Sequence, residues 1–333
     1  MKKISIIAET AWHHEGDFEF MKNLVFEICN TETDIVKLHI TLDIDEYMSK
    51  NHPAYDTLKD WMLNEKQWTQ VIEIVKKAGK KLMLLYNDEK AVEFGTQFNP
   101  EMIEIHSVCL NDIHLISKIN NTVSTDARIV LGVGGSTVYE IENAIQLLNN
   151  FNIVLMFGFQ NYPTKYEDIN FEKVRKTMRL FSDYEFGYAD HCAWNEANNI
   201  LITLLGASQG MQYIEKHVTT KHGEKRCDWN SAISFEMFNS LADKIKVVNA
   251  CQGDGLLKLN EGEQNYSVFG PMKKAAILNK DVNENVTFSL DVVDFKRTGV
   301  KTDLSQIDVF NSIGMQFQQT LTKGILLNSK HIK

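Results

Sequence analysis

Short runs of apolar, β-branched residues alternate along this chain with longer segments in which apolar residues recur every three or four positions. The first pattern is typical of buried strands and the second of amphipathic helices. The predicted strands are Ile4–Thr10, Asp34–Ile40, Lys81–Asn87, Met102–Val108, Arg128–Gly134, Asn152–Phe159, Glu185–His191 and Met211–Val218. The predicted helices lie near residues 18–30, 64–79, 88–97, 111–120, 136–150, 170–184, 195–207 and 234–251. In the helix at 136–150, Ser136 is the expected N-cap.

Eight successive β-then-α units predict an α/β fold of the (β/α)8 TIM-barrel type, which usually needs about 250 residues. A doubly wound open sheet is the alternative. The number of units and the lack of a glycine-rich phosphate fingerprint after the first strand favour the barrel. The connection at 40–63 is long for such a fold, which is typical of a lid or of a loop with small helices of its own.

The pattern changes near residue 252. Gln252–Gly255 resembles a helix stop followed by a linker. Residues 267–333 consist of short strand-like runs separated by polar turns. We therefore expect a barrel domain at 1–255, a linker at 256–266 and a small β-rich domain at 267–333. A domain of that size has a thin core, so we expect it to pack on the barrel or on a second subunit.

Composition narrows the classes of function. The 333 residues carry a formal net charge of −9, and their lysines and arginines form no stripe, which argues against nucleic-acid binding. No apolar run approaches the roughly 20 residues that span a bilayer. The amino terminus has no signal-peptide pattern, and none of the five cysteines forms a Cys-x-x-Cys pair. These features predict a cytoplasmic protein with reduced thiols and no membrane partner.

The most distinctive chemical feature is a pair of histidines at the ends of two predicted strands. His191 ends the seventh strand and His217 ends the eighth, with the helical segment 195–207 between them. That spacing makes the strands parallel neighbours, so both imidazoles lie at one rim. Imidazole is the commonest metal ligand in proteins, and the pair is therefore a candidate metal site. The alternative is that each histidine caps its strand and bonds to a loop.

Other polar residues are expected at the same rim, because barrel active sites are built from the carboxyl ends of strands. Lys37 lies in the apolar run 34–40 and must point into the barrel mouth or pair internally. A buried lysine needs an anionic partner, either a carboxylate or a substrate. Glu9, on the adjacent predicted strand, is the candidate for a structural ion pair.

Several short segments resemble, in order, the sialic acid synthase family. They are Ile7–Glu9, His14–Gly16, Ile35–Lys37, Tyr162–Thr164, Glu167–Asp168, Gly187, Asp190–His191 and Ile214–His217. A tail segment, Lys296–Gly299, resembles the antifreeze-like (SAF) domain of that family. The likeness extends over essentially the whole chain, and its ordered set of motifs is specific where any single motif is not.

The resemblance implies an enzyme, a transferase that condenses phosphoenolpyruvate with an N-acylated hexosamine to form a nonulosonic, sialic-type acid. It implies that His191 and His217 hold Mn²⁺ or Mg²⁺. It assigns catalysis to Glu9, Lys37 and Asp228. It assigns substrate binding to Ser107, Gln160, Tyr162 and Arg297. It also implies a domain-swapped homodimer in which Arg297 of one chain reaches the active site of its partner.

The chain departs from the family where the family binds the phosphate and carboxylate of its donor. Glu104 stands where a lysine is expected, which exchanges attraction of an anion for repulsion. Further departures are Tyr86 for threonine, Gly132 and Ala189 for serine, Gln160 for asparagine, Cys109 for glutamate and His39 for glutamine. These changes leave two alternatives open. One is a metal-dependent barrel lyase or aldolase with a different donor, and the other is a non-catalytic sugar-binding homologue. Neither the sugar acceptor nor the product follows from the sequence.

Overall fold

A closed barrel of eight parallel strands forms the first part of the chain. The computed structural model describes residues 3–158 and 161–333. The strands are β1 (Ser5–Glu9), β2 (Ile35–Ile40), β3 (Lys81–Tyr86), β4 (Met102–Ile105), β5 (Arg128–Gly132), β6 (Asn152–Phe157), β7 (Glu185–Asp190) and β8 (Tyr213–Thr219). Each strand pairs with the next, and β1 pairs with β8. A short strand, β9 (Ile233–Ser234), extends the sheet from the end of β8. The predicted TIM barrel is confirmed.

Helices cover the outer face of the barrel. They are α1 (Phe18–Cys29), α2 (Ile44–Tyr47), α3 (Tyr55–Trp61), α4 (Glu65–Lys77), α5 (Glu89–Thr96), α6 (Ile113–Thr122), α7 (Val138–Leu147), α8 (Tyr166–Ile169), α9 (Phe171–Leu180), α10 (Asn199–Ala207) and α11 (Phe235–Gln252). The short α2 and α3 lie in the long connection after β2. The predicted Ser136 cap of α7 is wrong. Thr137 caps the helix instead, because Glu140, three residues later, bonds back to it in a capping box.

Strand alternation divides the strand side chains between two cores. One set points outward and packs against the helices. The other set fills the lower part of the barrel with apolar side chains, including Ile7, Ile35, Met83, Val130 and Val154. Above that layer, at the carboxyl ends of the strands, the inward positions become polar. The barrel floor therefore supports a polar cavity from below.

The chain divides into two compact units, Met1–Asp254 and Gly255–Lys333. The second unit has its own apolar core, in which Phe288 and Phe317 pack edge to face. Its regular elements are α12 (Glu261–Tyr266), β10 (Ala275–Leu278), β11 (Val293–Lys296) and α13 (Gln306–Asn311), with β10 and β11 antiparallel. Most of the remaining pairing is by isolated bridges. The predicted linker at 256–266 contains α12.

No helix in the described part of the chain has both the length and the apolar character needed to cross a membrane.

Candidate functional site

A cavity of about 190 Å³ opens at the carboxyl ends of the barrel strands. It brings together most of the residues that the sequence singled out: Glu9, Lys37, Ser107, Tyr162, His191, His217 and Asp228. Gln160, and Phe159 at the predicted end of the sixth strand, lie outside the described residues. Arg297 belongs to the second compact unit, where its exposed guanidinium donates to the carbonyl of Pro271 over 2.8 Å.

Three buried side chains form a candidate metal centre at one side of this cavity. One ligand atom each from Glu9, His191 and His217 lies within 4.8 Å of the other two. The two imidazole Nε2 atoms are 3.0 Å apart, and His217 Nε2 is 3.3 Å from Glu9 Oε2. Glu9 and His217 are direct partners in the β1–β8 register, and His191 follows the last residue of β7.

A hydrogen bond at Nδ1 sets the tautomer of the His191 imidazole. Its Nδ1 lies 3.0 Å from the carbonyl of Ala189 and donates to it, so the lone pair is on Nε2. Such a second contact is how proteins usually orient a metal-binding histidine. Burial, reinforced by the nearby charge of His217, lowers the pKa of His191 to about 3. Burial also lowers the pKa of His217. Both imidazoles are therefore neutral, which is the form that binds metals.

Glu9 completes the set as an ionised carboxylate. Burial opposes its ionisation, but the charge of Lys37 and the contacts with His217 and His39 hold its pKa well below the usual value. Two neutral imidazoles and a carboxylate suit a divalent ion such as Mn²⁺. The sequence interpretation gave Glu9 a catalytic role and did not include it in the candidate metal site. One signal in the sequence could have placed Glu9 beside the histidines. The first and last strands of a barrel pair with each other, and this puts Glu9 opposite His217.

A second buried pair lies on the outer face of the same two strands. Lys216 Nζ is 2.9 Å from Asp190 Oδ2, and both side chains are fully buried. Thr203 of α10 donates to the same carboxylate oxygen over 2.5 Å. Burial opposes ionisation of Asp190, but Lys216 and these bonds lower its pKa overall. Because strand residues alternate between faces, this pair fixes the backbone that carries His191 and His217 without entering the cavity.

Lys37 occupies the other side of the cavity, surrounded by carboxylates. Its Nζ is 2.6 Å from Glu104 Oε2 and 3.0 Å from one oxygen each of Glu9 and Glu215. All four side chains are at most 4% exposed. The ion pair with Glu9 was expected. Glu104 and Glu215 reach the same ammonium from strands two positions away on either side of β2, across the barrel interior.

The charges in this cluster do not balance, since three carboxylates surround one ammonium. Burial, followed by the charge of Glu9, raises the pKa of Glu215 well above its usual value. Burial also raises the pKa of Glu104, although Lys37 opposes that shift. Burial acts against the charge of Lys37, but the three carboxylates raise its pKa well above the usual value. The ammonium therefore stays charged, and Glu215 is the acidic group of the cluster whose ionisation is most disfavoured.

The loop after β1 clasps the loop after β8. His13 donates from Nδ1 to the carbonyl of Cys227 and accepts at Nε2 from the hydroxyl of Thr219, each over 2.7 Å. Glu15 accepts from the backbone N–H of Cys227, also over 2.7 Å. Asp228 comes next, with φ of 62° in the left-handed region, and lines the cavity. The clasp therefore holds Asp228 in a backbone conformation that non-glycine residues seldom adopt.

Aromatic side chains from three loops form the rim of the cavity. They are Trp12 after β1, Tyr47 of α2 and Tyr162 after β6. The Tyr162 ring lies edge-on to His191, with ring centroids 6.2 Å apart. Sequence reasoning missed Trp12, which lies just after the first predicted strand, and Tyr47, which lies in the long connection after the second. Aromatic faces beside a polar centre suit a ligand with both apolar and polar surfaces, as sugars have.

Two of the departures noted in the sequence have structural explanations. A Cβ atom on Gly132 would come within 2.8 Å of the backbone nitrogen of Ser107. Glycine therefore lets the loop after β4 approach β5 closely. Tyr86 does not line the cavity, because its ring packs on the outer side of β3 against Gly95 of α5. Tyr86 therefore takes no part in the cavity.

Comparisons with known proteins agree with this geometry. A sequence model of the NeuB family matches residues 31–256. The N,N'-diacetyllegionaminic acid synthase of Legionella pneumophila is 23% identical, over 98% of this chain and 94% of its own. The pseudaminic acid synthase of Helicobacter pylori is 29% identical, over 72% of this chain and 73% of its own.

A solved structure supports the fold. The N-acetylneuraminic acid (sialic acid) synthetase of Leptospira borgpetersenii superposes with a TM-score of 0.72 at 21% sequence identity. The match covers 79% of this chain and 90% of that one.

Proposed function

Because this chain belongs to the NeuB family, we propose that it is a transferase that condenses phosphoenolpyruvate with an N-acylated hexosamine to form a nonulosonic, sialic-type acid. The observation that carries the proposal is the cluster of Glu9, His191 and His217 at the mouth of the barrel. The relatives named as legionaminic and pseudaminic acid synthases support the same class of product.

We propose that Glu9, His191 and His217 hold Mn²⁺ or Mg²⁺. The donor set fits, since two neutral imidazoles and an ionised carboxylate converge from three strands. A divalent ion bound there supplies Lewis acidity, which polarises a carbonyl oxygen of the acceptor.

The remaining residues bind and orient the reactants. In the overall reaction, C3 of the donor bonds to the aldehyde carbon of the open-chain sugar, water adds at C2 of the donor, and phosphate leaves. Asp228, at the rim, accepts hydrogen bonds from acceptor hydroxyls and takes up the proton from the added water. Tyr162 and the other rim aromatics cover the sugar and exclude bulk water. Ser107, at the end of β4, faces the donor, and we assign Gln160 to the same group from the family resemblance alone.

Purified protein tests this function directly. With Mn²⁺, phosphoenolpyruvate and a panel of N-acylated hexosamines, we expect phosphate release and a product whose mass equals donor plus acceptor plus water minus phosphoric acid. Asp228→Asn should lower kcat, whereas the exposed His114→Ala should behave as the parent. If no acylated hexosamine in the panel supports phosphate release, the synthase proposal fails.

A second candidate is favoured by one observation, the enclosure of Lys37 by three carboxylates. An enzyme with the same metal centre and a pyruvate-type donor would form the same carbon–carbon bond, or cleave it as a lyase, without handling a phosphate. Product formation from pyruvate and the sugar, without phosphoenolpyruvate, would identify it. A non-catalytic sugar-binding homologue is the weaker alternative, because a binding protein has no need for a metal centre.

The second compact unit is, in this proposal, an antifreeze-like domain that swaps between the subunits of a homodimer. Arg297 of one chain then binds substrate in the cavity of its partner. We place the protein in the cytoplasm, in keeping with its unpaired cysteines. Light scattering on purified protein tests the assembly, and a monomer would remove the role of Arg297.

A further inference from the structure

The charges around the cavity are unfavourable to an anionic ligand. Among the described residues that line it, Lys37 is the only lysine or arginine. Four carboxyl side chains line the same cavity: Glu9, Glu104, Glu215 and Asp228. A donor that carries both a phosphate and a carboxylate therefore enters a cavity with one cation and an excess of acidic groups.

That single cation already has three acidic groups as close neighbours. A lysine ammonium has three N–H donors. Lys37 has three carboxylate oxygens within 3.0 Å, one each from Glu9, Glu104 and Glu215. A substrate oxygen must therefore compete with these three acidic groups for the ammonium.

Glu104 is the partner whose position matters most for a donor. Its contact with Lys37 is the shortest of the three, at 2.6 Å. Glu9 is also engaged by His39 and His217, within the candidate metal centre. Glu104 itself lines the cavity, so a ligand bound there lies beside its carboxyl group.

We propose that Glu104 sets the donor specificity of this site, by occupying Lys37 and so weakening the binding of a phosphorylated donor relative to one with a single carboxylate. The inference rests on the proposed function, since it concerns the donor of that reaction. Glu104 does not act on the substrate directly in this scheme. It controls whether Lys37 is available.

The test compares donor binding to the parent and to Glu104→Gln by isothermal titration calorimetry with Mn²⁺ present. The amide keeps the shape of the side chain and removes its charge. We expect the Kd of phosphoenolpyruvate to fall at least tenfold in Glu104→Gln, and that of pyruvate to change less than threefold. Glu142→Gln, an exposed neutralisation on α7, is the matched control and should leave both constants unchanged.

The inference is overturned if Glu104→Gln leaves the Kd of phosphoenolpyruvate within twofold of the parent, or lowers both constants equally. Glu104→Asp covers the case in which the glutamine variant does not fold. It keeps the charge but withdraws the carboxylate from Lys37, so its Kd for phosphoenolpyruvate should fall between those of the parent and the expected glutamine value. A Kd equal to the parent's would also overturn the inference.

Activity assays separate this inference from the proposed function. If Glu104→Gln binds phosphoenolpyruvate more tightly but neither it nor the parent forms product with any acylated hexosamine, the function fails and the role of Glu104 stands. If the parent forms product and Glu104→Gln has the same KM for phosphoenolpyruvate, the role of Glu104 fails and the function stands.

Discussion

The two sides of the cavity treat buried charge in opposite ways. On one side, Glu9, His191 and His217 direct a carboxylate and two imidazole nitrogens at a common point. On the other side, Lys37 is enclosed by three carboxylates. Buried charges must be paired, and the lysine side achieves this within the chain. In the proposed metal centre, the histidine side pairs its carboxylate with a cation that comes from outside the chain. One layer of a barrel can therefore hold two kinds of charged group side by side. The Lys37 side is closed, because its cation and anions come from the same chain, and the histidine side is open, because its ligand atoms have no cation of the chain between them.

The largest expected effect on stability comes from removing the cation of the Lys37 cluster. Lys37→Met leaves three carboxyl groups buried without a cation, and removing one partner of a buried ion pair typically costs about 3–5 kcal/mol. Urea denaturation at pH 7 should show a loss of that size in the free energy of unfolding. Lys173→Met, an exposed change on α9, should have little effect. A loss of stability for Lys37→Met no larger than that of the control would mean that the Lys37 cluster does not stabilise the fold.

The next test removes the two imidazoles of the histidine side. The double variant His191→Ala/His217→Ala loses both imidazole ligands, and we expect the Kd for Mn²⁺ to rise at least about 100-fold, which is roughly 2.7 kcal/mol. Electron paramagnetic resonance of free Mn²⁺ measures it. His114→Ala provides a histidine control on the surface of α6. Equal Mn²⁺ binding by the double variant and the parent would show that His191 and His217 do not bind the metal ion. The histidine side would then not be an open ligand set.

The neutral histidines also make a prediction about pH. The pKa of His191 is about 3 in the folded protein and near the ordinary 6.5 when unfolded. Between those values the unfolded chain binds a proton that the folded chain does not, so stability falls as the pH is lowered from 7. At pH 5 this histidine alone accounts for about 2 kcal/mol.

The pH effect is measured by urea denaturation at pH 7 and pH 5 in the presence of a chelator, because bound metal would also respond to pH. His191→Gln should show a smaller difference between the two pH values than the parent. His114→Gln should keep the parent's difference. An unchanged difference in His191→Gln would show that the imidazole is not held neutral by burial.

The smallest expected effect concerns the clasp. His13→Phe keeps a ring of similar size but removes both hydrogen bonds to the β8 loop, which we expect to cost about 1–2 kcal/mol of stability. The Kd for Mn²⁺ should stay within threefold of the parent, because His13 holds Asp228 rather than the metal centre. His13→Asn, which can bond to one of the two partners, should be intermediate. A large loss of Mn²⁺ binding in His13→Phe would mean that the clasp also positions the candidate metal centre.

The fold was predictable because barrel strands and helices differ in the period of their apolar residues. Every predicted barrel strand is present, and errors are confined to ends, as at β4, which stops at Ile105 because a 3-10 turn begins at Ser107. The error at Ser136 arose from taking the first polar residue as the cap. Glu140 selects Thr137 by completing a reciprocal pair of bonds.

The site was predictable only in part. His191 and His217 could be placed at one rim, since parallel neighbours end at the same edge of a sheet. Glu9 could be named as a partner of Lys37, but Glu104 and Glu215 could not, because they come from strands that do not adjoin β2. Their contact depends on how far a lysine side chain reaches across the barrel interior, and local sequence patterns do not encode that distance. Sequence reasoning identified Glu104 as a departure from the family but could not tell what it binds.

The pairing of Glu9 with His217 has a consequence for the order in which this protein matures. The ribosome makes β1 first and β8 last among these eight barrel strands. Glu9 is therefore synthesised long before His191 and His217, and the three side chains can meet only when nearly the whole barrel has been made. Lys37 and Glu104 emerge much earlier and can meet while later strands are still being made. The proposed metal ion would therefore bind only after the last barrel strand has been made, and it would play no part in the early steps of folding.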